Sequence, residues 1–567
     1  MFIQVGKAVL LTLVIGVLVP TYGSASILET KHNLSVTGPG TVVAVAENQV
    51  CIFCHTPHQG QPAVPLWNHE TTTASFTMYT SSTLVETATE PGWSALLCLS
   101  CHDGTVAVGA IQSRSIAMQG TMTAGLLPLG STNLGTNFQD DHPINIPLTI
   151  TARPTLSRLV LPVPGDPVHL DLEGKVQCVS CHNVHSNQYP PFLVKSDAPD
   201  SVAPGGQLCQ SCHSMQGWSE SAHGIATDVF TNSEGISVAA KACRSCHLVH
   251  GLYGLGKRLL PAEEETCLSC HDGTVATTNI KRELEKGTLF FGSTHPVGLI
   301  GMHDPLEFWT ETTPRHAECW DCHNPHAAGN GLADFGGITA LAGQSGVEPI
   351  YFGTNLSWQA VPFVQQEYQL CYKCHSIAVH GQTSIAQDFN FNNPSFHAIY
   401  PDHPRADTGP NGFTTGWGWD SILTCSDCHG PHGSIYPVLL KGRWQYAESD
   451  LLLTGQVGSQ DHLCFYCHRY DTYVTNGTGT NFKSVNGRNL HVKHSQLGSR
   501  PRNRFGCAGC HSVIPHGWGK PALLVETDDP PPYLNNGENL EIINWSFGGW
   551  AARDCATRCH QGHHSSN

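Results

Sequence analysis

The sequence predicts a chain that is mostly coil, with short α-helices and little β-structure, and three features support this fold class. Charged residues make up 13% of the 567 residues, about half of the roughly 25% usual in soluble proteins. Glycine and proline number 57 and 36, and both interrupt regular structure. The third feature is the content of 24 cysteines and 34 histidines. This content argues against an ordinary cytosolic enzyme, and the net charge of −16 argues against a nucleic-acid-binding surface.

Residues 1–26 are predicted to be a secretory signal peptide. Lys7 supplies the positive start, Ala8–Val19 an apolar stretch, and Ser24–Ser26 a cleavage site of small residues. The alternative is an uncleaved N-terminal anchor, although the apolar run is too short to span a bilayer. We therefore expect an exported protein.

The cysteines follow one spacing almost throughout. Eleven times, two cysteines are separated by two residues and followed at once by a histidine. The cysteine pairs are Cys51 and Cys54, Cys98 and Cys101, Cys178 and Cys181, Cys209 and Cys212, Cys243 and Cys246, Cys267 and Cys270, Cys319 and Cys322, Cys371 and Cys374, Cys425 and Cys428, Cys464 and Cys467, and Cys507 and Cys510. The histidines that follow them are His55, His102, His182, His213, His247, His271, His323, His375, His429, His468 and His511. A twelfth pair, Cys555 and Cys559, has three intervening residues before His560. A disulfide framework would not require these histidines.

The spacing C-x-x-C-H is the attachment signature of c-type haem. Two thiols one turn apart add to the two vinyl groups of the porphyrin, and the next histidine binds the iron. Zinc is the main alternative for such pairs, but it needs four ligands and does not require the histidines. A thioredoxin-like site would need only one pair in a βαβ setting. We therefore expect about twelve covalently attached haem c groups.

The motifs alternate in type along the chain. A second histidine follows closely after the motif histidine in every other motif, and usually not in those between. These short-range histidines are His58, His185, His250, His326 and His432, three residues after the motif histidine, and His516, five residues after it. We therefore divide the chain into six tandem di-haem modules, at 27–141, 142–222, 223–294, 295–394, 395–489 and 490–567. The unchanged recurrence of Cys98–Ala107 as Cys267–Ala276 supports an internal repeat.

Each predicted module also has a histidine upstream of its first motif. These upstream histidines are His32, His142, His223, His295, His403 and either His491 or His494. Together the two groups match the number of distal ligands that twelve bis-histidine haems need. The alternatives to the upstream group are His69, His316 and His397, with His563 and His564 for the last haem. The alternative role of the short-range group is to cap turns or to bind haem propionates.

Chain reach limits how a short-range histidine can act. Three residues extend at most about 11 Å, too short a path around the porphyrin edge to the opposite face of the same iron. A short-range histidine that is a ligand must therefore serve a neighbouring haem. Methionine is the other common axial ligand, but the chain has only six. We expect mostly bis-histidine, low-spin, low-potential haems.

Twelve porphyrins leave too little protein for a conventional core around each one. We therefore expect an elongated core of stacked haems, joined by loops. A β-hairpin is predicted within residues 327–369, a long stretch without motifs that is rich in β-forming residues.

The chain resembles the multihaem c-type cytochromes of metal-reducing bacteria that carry paired C-x-x-C-H motifs. The motifs above carry the resemblance, together with the phrases KHNLSVTGPG, PLWNH, CLSCHDGTVA and CHNPH. It implies electron transfer in extracellular respiration, to outside acceptors such as metal oxides. It also implies an extracellular or outer-membrane surface location, with the periplasm as the alternative.

The implied partners are other redox proteins and extracellular acceptors, with self-association into filaments or a separate porin as further options. No enzyme activity is expected. The alternative class is a multihaem reductase for nitrite, hydroxylamine or a sulfur oxyanion, which needs one haem with an open position. Related reductases often mark that haem with C-x-x-C-K, and this motif does not occur here.

Overall fold

The computed structural model describes most of the chain between residues 27 and 533. The described residues are 27–58, 60, 66–81, 84, 86–148, 157–197, 205–229, 235–251, 263–289, 292–297, 317–329, 339–353, 355–376, 384–405, 412–444, 462–475, 480, 482, 487–492, 507–525, 529, 530 and 533. The predicted signal peptide and the Cys555, Cys559 and His560 site lie outside these residues, as do His316, His494, His563 and His564.

Coil dominates the described residues, with short helices and small sheets, as the sequence predicts. The α-helices are α1 (Trp93–His102), α2 (Cys178–Cys181), α3 (Gln207–Gln210), α4 (Ala222–Ile225), α5 (Val238–Lys241), α6 (Glu263–Leu268), α7 (Ile280–Glu285), α8 (Cys319–Cys322), α9 (Glu367–His375), α10 (Ile385–Asp388) and α11 (Cys425–Cys428). The strands are β1 (Val42–Ala44), β2 (Ala110–Ile111), β3 (Arg114–Ser115), β4 (Met118–Gly120), β5 (Ile146–Pro147), β6 (Ser157–Leu159), β7 (Lys175–Val176), β8 (His213–Met215), β9 (Gly346–Phe352), β10 (Asn355–Val361), β11 (Ser395–Phe396) and β12 (Gly517–Trp518).

The chain forms two compact units. The first comprises Met1–Thr149, Leu161–Asp197 and Val249–Arg258. Its two-stranded antiparallel sheets pair β1 with β4, β2 with β3, and β5 with β7. Two small apolar clusters fill it, one around Phe53 and Ile111 and the other around Leu99 and Phe138.

The second unit comprises Ile150–Val160, Ala198–Leu248 and Leu259–Asn567. Its longest sheet is the antiparallel hairpin of β9 and β10, which lies within the stretch where the sequence predicts one. Tyr368 and Tyr372 of α9 pack with Val347 of the hairpin and with Tyr400. The unit also contains the pairs β6 with β8 and β11 with β12.

Several cysteine motifs occupy one isolated helical turn, and the sequence explains why the turn forms. At α2, α8 and α11 the residue before the first cysteine is an N-cap, and the residue before the second cysteine closes a capping box with it. Asp427 Oδ2, for example, accepts a hydrogen bond from the Thr424 N–H at 2.7 Å. Such reciprocal caps satisfy backbone donors that a short helix leaves without partners.

Within the described residues, no helix combines the length and apolar character needed to cross a bilayer.

Candidate haem-binding sites

The capped turn controls where the motif histidine goes. At α2, α8 and α11 the helix stops at the second cysteine, and His182, His323 and His429 adopt extended backbone angles. The motif histidine of α1 and α9, in contrast, is the last residue of a longer helix. At these five motifs, first and second motifs of the predicted modules therefore present their histidines on different backbone geometries.

Nine motif histidines face a second histidine ring. The ring centroids of these pairs lie 5.9 to 6.4 Å apart. The pairs are His55–His185, His102–His32, His182–His250, His247–His326, His271–His223, His323–His432, His375–His295, His429–His516 and His511–His491. Two imidazoles bound to opposite sides of one metal, with nitrogens about 2 Å from it, would have their ring centroids roughly 6 Å apart. The spacing therefore fits one iron within each pair.

The short-range histidines follow one rule. Each of them except His58 faces the first motif of the preceding predicted module, so that His185 faces His55 and His326 faces His247. The same rule holds for His250, His432 and His516. No short-range histidine in these pairs faces the motif histidine that it follows in sequence.

The upstream histidines follow a second rule. His32, His223 and His295 each face the second motif of their own predicted module. If each pair binds one iron, consecutive predicted modules interlock, since the first motif would be completed by the next module and the second motif by a histidine of its own module.

His403 departs from its predicted position. Its ring stacks on Phe391, with centroids 3.6 Å apart, and His397 occupies the place equivalent to the other upstream histidines. His397 Nδ1 lies 2.5 Å from the Pro515 carbonyl oxygen, and the residue is close enough to His468 to lower its pKa. His397, which the sequence gives only as an alternative, therefore replaces His403 as the candidate ligand for the Cys464 motif.

Three further predicted residues lie in distinct settings. His58 is exposed, and within the described part of the chain no histidine ring faces it. His491 faces the first motif of the sixth predicted module rather than the second. His69, an alternative upstream residue, is buried, and its ring nitrogens lie near the carbonyl oxygens of Glu70 and Val108.

Hydrogen bonds at Nδ1 orient many of these rings. The Nδ1 atoms of the motif histidines His102, His182, His323, His429 and His511 lie 2.6 to 3.0 Å from backbone carbonyl oxygens. Those of the facing histidines His223 and His295 lie 2.9 and 2.6 Å from carbonyl oxygens. Because a carbonyl only accepts, Nδ1 carries the proton and Nε2 keeps its lone pair for a metal.

Sequence reasoning missed the segments that supply these carbonyls. Three motif histidines bond to a short stretch that begins with proline, at Pro191, Val438 and Ala522, 9 to 11 residues downstream. The facing histidines His223 and His295 bond to the carbonyl oxygens of Pro325 and Pro431. Each of these prolines directly precedes a short-range histidine. The recurring sequences PPFLV, YPVLL and KPALL were the available signal.

Burial favours the neutral form of several of these histidines. It lowers the pKa of His326, His375 and His429 to about 4 and that of His468 to about 3, and neighbouring histidines lower these values further. A neutral imidazole has the free nitrogen lone pair that a metal ligand requires.

The cysteines place consecutive motifs side by side within each unit. The cysteine sulfurs of successive predicted modules are neighbours, in the pairs Cys98–Cys178, Cys267–Cys319, Cys371–Cys425 and Cys464–Cys507. Inside four of the predicted modules, the second cysteine of one motif lies near the second cysteine of the other motif. Cys246 and Cys270 are an example, because burial and then the nearby Cys270 thiol raise the pKa of Cys246 to about 11. The pairs Cys54–Cys101, Cys322–Cys374 and Cys428–Cys467 show the same influence.

Two predicted haem-binding cysteines, Cys212 and Cys510, differ from this pattern. The second predicted module is divided between the two compact units, so that Cys181 belongs to the first unit and Cys212 to the second. In the sixth module the partner of Cys510 would be Cys559, which lies outside the described residues. Both are half-buried. Their carbonyl oxygens accept hydrogen bonds from the N–H groups of Val160 and Val525, at 2.8 and 3.0 Å, which fix each motif to a neighbouring segment.

His142 and its expected motif belong to different units. His142 belongs to the first unit, whereas His213, the motif histidine that follows Cys212, belongs to the second. His142 Nδ1 lies 3.0 Å from the Pro143 carbonyl oxygen. The ligation of the Cys209 and Cys212 haem by His142 therefore stays a prediction from the sequence.

Comparison with known families agrees with the paired arrangement. The sequence profile of the family described as "Doubled CXXCH motif" matches residues 169–217, 237–276 and 422–472. No curated protein matches the chain. The three doubled motifs indicate a multihaem c-type cytochrome that carries covalently bound haem c and functions in electron transfer.

The residues present fit haem at the described motifs. The two cysteines of each motif would hold the porphyrin, and the facing histidine pair would hold the iron from both sides, with Nε2 left available at the rings described above. Haem would supply one-electron chemistry at these positions.

Proposed function

We propose that the chain is a dodecahaem cytochrome that carries electrons along a row of bis-histidine haems. The observation that carries the proposal is the set of nine facing histidine pairs. An iron held from both sides has no position for a reactant, which favours electron transfer over catalysis. The twelfth haem rests on the Cys555 motif of the sequence.

The contacts between motifs support transfer within each unit. In the second unit, Cys322 lies beside Cys374, and the sulfur of Cys371 lies beside that of Cys425. In two such clusters the thiol sulfurs lie within 4.8 Å of each other, at Cys371 with Cys425 and at Cys464 with Cys507. Porphyrins attached to adjacent sulfurs are close neighbours, so electrons can pass without a large movement of the chain.

For the biological setting we propose extracellular respiration to acceptors such as metal oxides, at the cell exterior or outer-membrane surface. The predicted signal peptide, the resemblance and the net charge of −16 support this setting. Other redox proteins and copies of this chain are the proposed partners. The exposed His58 supports a contact with another haem protein, since by the rule above it would complete an iron that the described residues do not provide.

A reductase is the second candidate, and one motif favours it. His468 is not among the nine paired motif histidines, and its ring has the rings of Phe413 and Tyr473 as neighbours, at 5.0 and 5.6 Å, with His397 nearby. If His397 did not bind the iron at Cys464, that iron would have an open position.

Mass spectrometry and magnetic spectroscopy of the purified holoprotein test the proposal. We expect twelve haem additions, no free thiol, and low-spin ferric signals that cyanide and nitrite leave unchanged. Eleven additions would remove the Cys555 site. A stoichiometric high-spin haem that binds nitrite would support the reductase instead.

A further inference from the structure

Asp141 is a buried carboxylate that contacts one of the facing histidines. Its Oδ1 lies 3.0 Å from Nδ1 of His250, and its side chain is only 4% exposed. The His250 ring in turn faces His182, with centroids 6.3 Å apart and planes 27° from parallel. The carboxylate therefore bonds to Nδ1 of His250, which leaves Nε2 as the nitrogen available to an iron.

The backbone holds Asp141 in this place. The His142 N–H donates to the Val249 carbonyl at 2.8 Å, which aligns the two segments side by side. The neighbouring Asp140 lies so near Gly251 that a Cβ there would come within 2.2 Å of its Cγ. Only glycine permits this close approach, so the Asp141–His250 contact belongs to a tightly fitted region.

Three histidines of the upstream type bond differently. His223, His295 and His397 place Nδ1 at 2.9, 2.6 and 2.5 Å from backbone carbonyl oxygens, which are neutral acceptors. His516 is the nearest comparison, but its Nδ1 is 3.7 Å from Asp388 Oδ2, beyond hydrogen-bond distance. Tyr533 donates to the other oxygen of Asp388 at 2.7 Å. Among the facing pairs of the described residues, His250 is the histidine whose Nδ1 hydrogen-bonds to a carboxylate.

We propose that Asp141 is a positioning residue that lowers the reduction potential of the haem at Cys178 and Cys181 by accepting a hydrogen bond from its distal ligand His250. A charged acceptor forms a stronger hydrogen bond than a neutral one. It draws the Nδ1 proton away from the ring, makes Nε2 a stronger donor, and so stabilises the ferric state. The inference rests on the proposed ligation by His182 and His250.

The test compares Asp141→Asn with the wild-type holoprotein by redox titration of the haem absorbance and by EPR spectroscopy. We expect a fraction of the absorbance change equal to one haem to move to higher potential, with all haems still low-spin. Asp166→Asn is the matched control, because Asp166 lies in the same unit, is 7% exposed and bonds to Lys195 at 2.8 Å. This control should leave that fraction in place.

Each other outcome has a defined meaning. An unchanged titration, an equal shift in Asp166→Asn, or a high-spin haem in Asp141→Asn would overturn the inference, the last because Asp141 would then merely hold His250 in place. A wild-type EPR spectrum without bis-histidine signals would instead overturn the proposed ligation. If Asp141→Asn does not accumulate, Asp141→Glu should give a smaller shift in the same direction, and no shift would again overturn the inference.

Discussion

His271 and His223 face each other with ring planes 79° apart, whereas His247 and His326, in the preceding motif, are only 14° from parallel. The difference recurs in both units. Second motifs have steep angles of 83°, 79° and 59°. First motifs have angles of 13°, 27°, 14°, 24°, 50° and 9°. Apart from His429 and His516, at 50°, the ring-plane angle of the facing pairs therefore alternates with the type of motif.

This alternation predicts two groups of low-spin ferric EPR signals. The relative orientation of two axial imidazole planes changes the splitting of the iron d orbitals, so near-parallel and steep pairs give different spectra. His271→Ala should remove intensity from the steep group only, and His247→Ala from the near-parallel group only. A single homogeneous signal, or losses from the same group in both variants, would contradict the prediction.

Ligation between predicted modules can be tested with double substitutions. His185→Ala should leave one iron five-coordinate and high-spin, and His55→Ala should affect the same iron. The variant that combines both changes should therefore still show one altered haem for each protein molecule. His182→Ala combined with His185→Ala is the control and should show two. Two altered haems in the first combination would separate His185 from the Cys51 motif.

Substitutions of His397 and of His403 should have opposite effects on the haem at the Cys464 motif. His397→Ala should convert one haem to a high-spin form that added imidazole returns to low spin. His403→Ala should leave the EPR spectrum unchanged, because its ring stacks on Phe391. The reverse result would restore the interpretation based on sequence alone.

The capping boxes predict a local loss of stability. Asp427→Ala removes the acceptor of the Thr424 N–H and should destabilise the turn α11 by about 0.5–2 kcal/mol. Amide hydrogen exchange around Cys425–Cys428 should accelerate accordingly. The exposed Asp420 provides the control Asp420→Ala, which should leave exchange at this turn unchanged. Equal protection in both variants would exclude a stabilising role for the cap.

Sequence reasoning correctly predicted the sparse regular structure and the hairpin of β9 and β10. The limited reach of the chain also predicted that short-range histidines would serve other haems, although this ligation still awaits the experiments above. Spacing alone could not predict which haem each one serves, because that depends on how successive modules pack.

The different settings of His397 and His403 have a specific physical cause. His142 and His403 share the local sequence Asp-His-Pro, which made them look equivalent. The position of His397 is set by two contacts between distant segments. Strand β11 pairs with β12 about 120 residues away, and the His397 N–H donates to the His516 carbonyl at 2.9 Å. A pairing between such distant segments leaves no local signature in the sequence.

The interlocking of modules has a consequence for biogenesis. If His185 completes the iron site at His55, as proposed, that site stays incomplete until a much later stretch of polypeptide has been made. Haem could be attached at Cys51 and Cys54 before that point, because both thiols are already present. Maturation would then proceed in order from the amino terminus, each step waiting for the next segment.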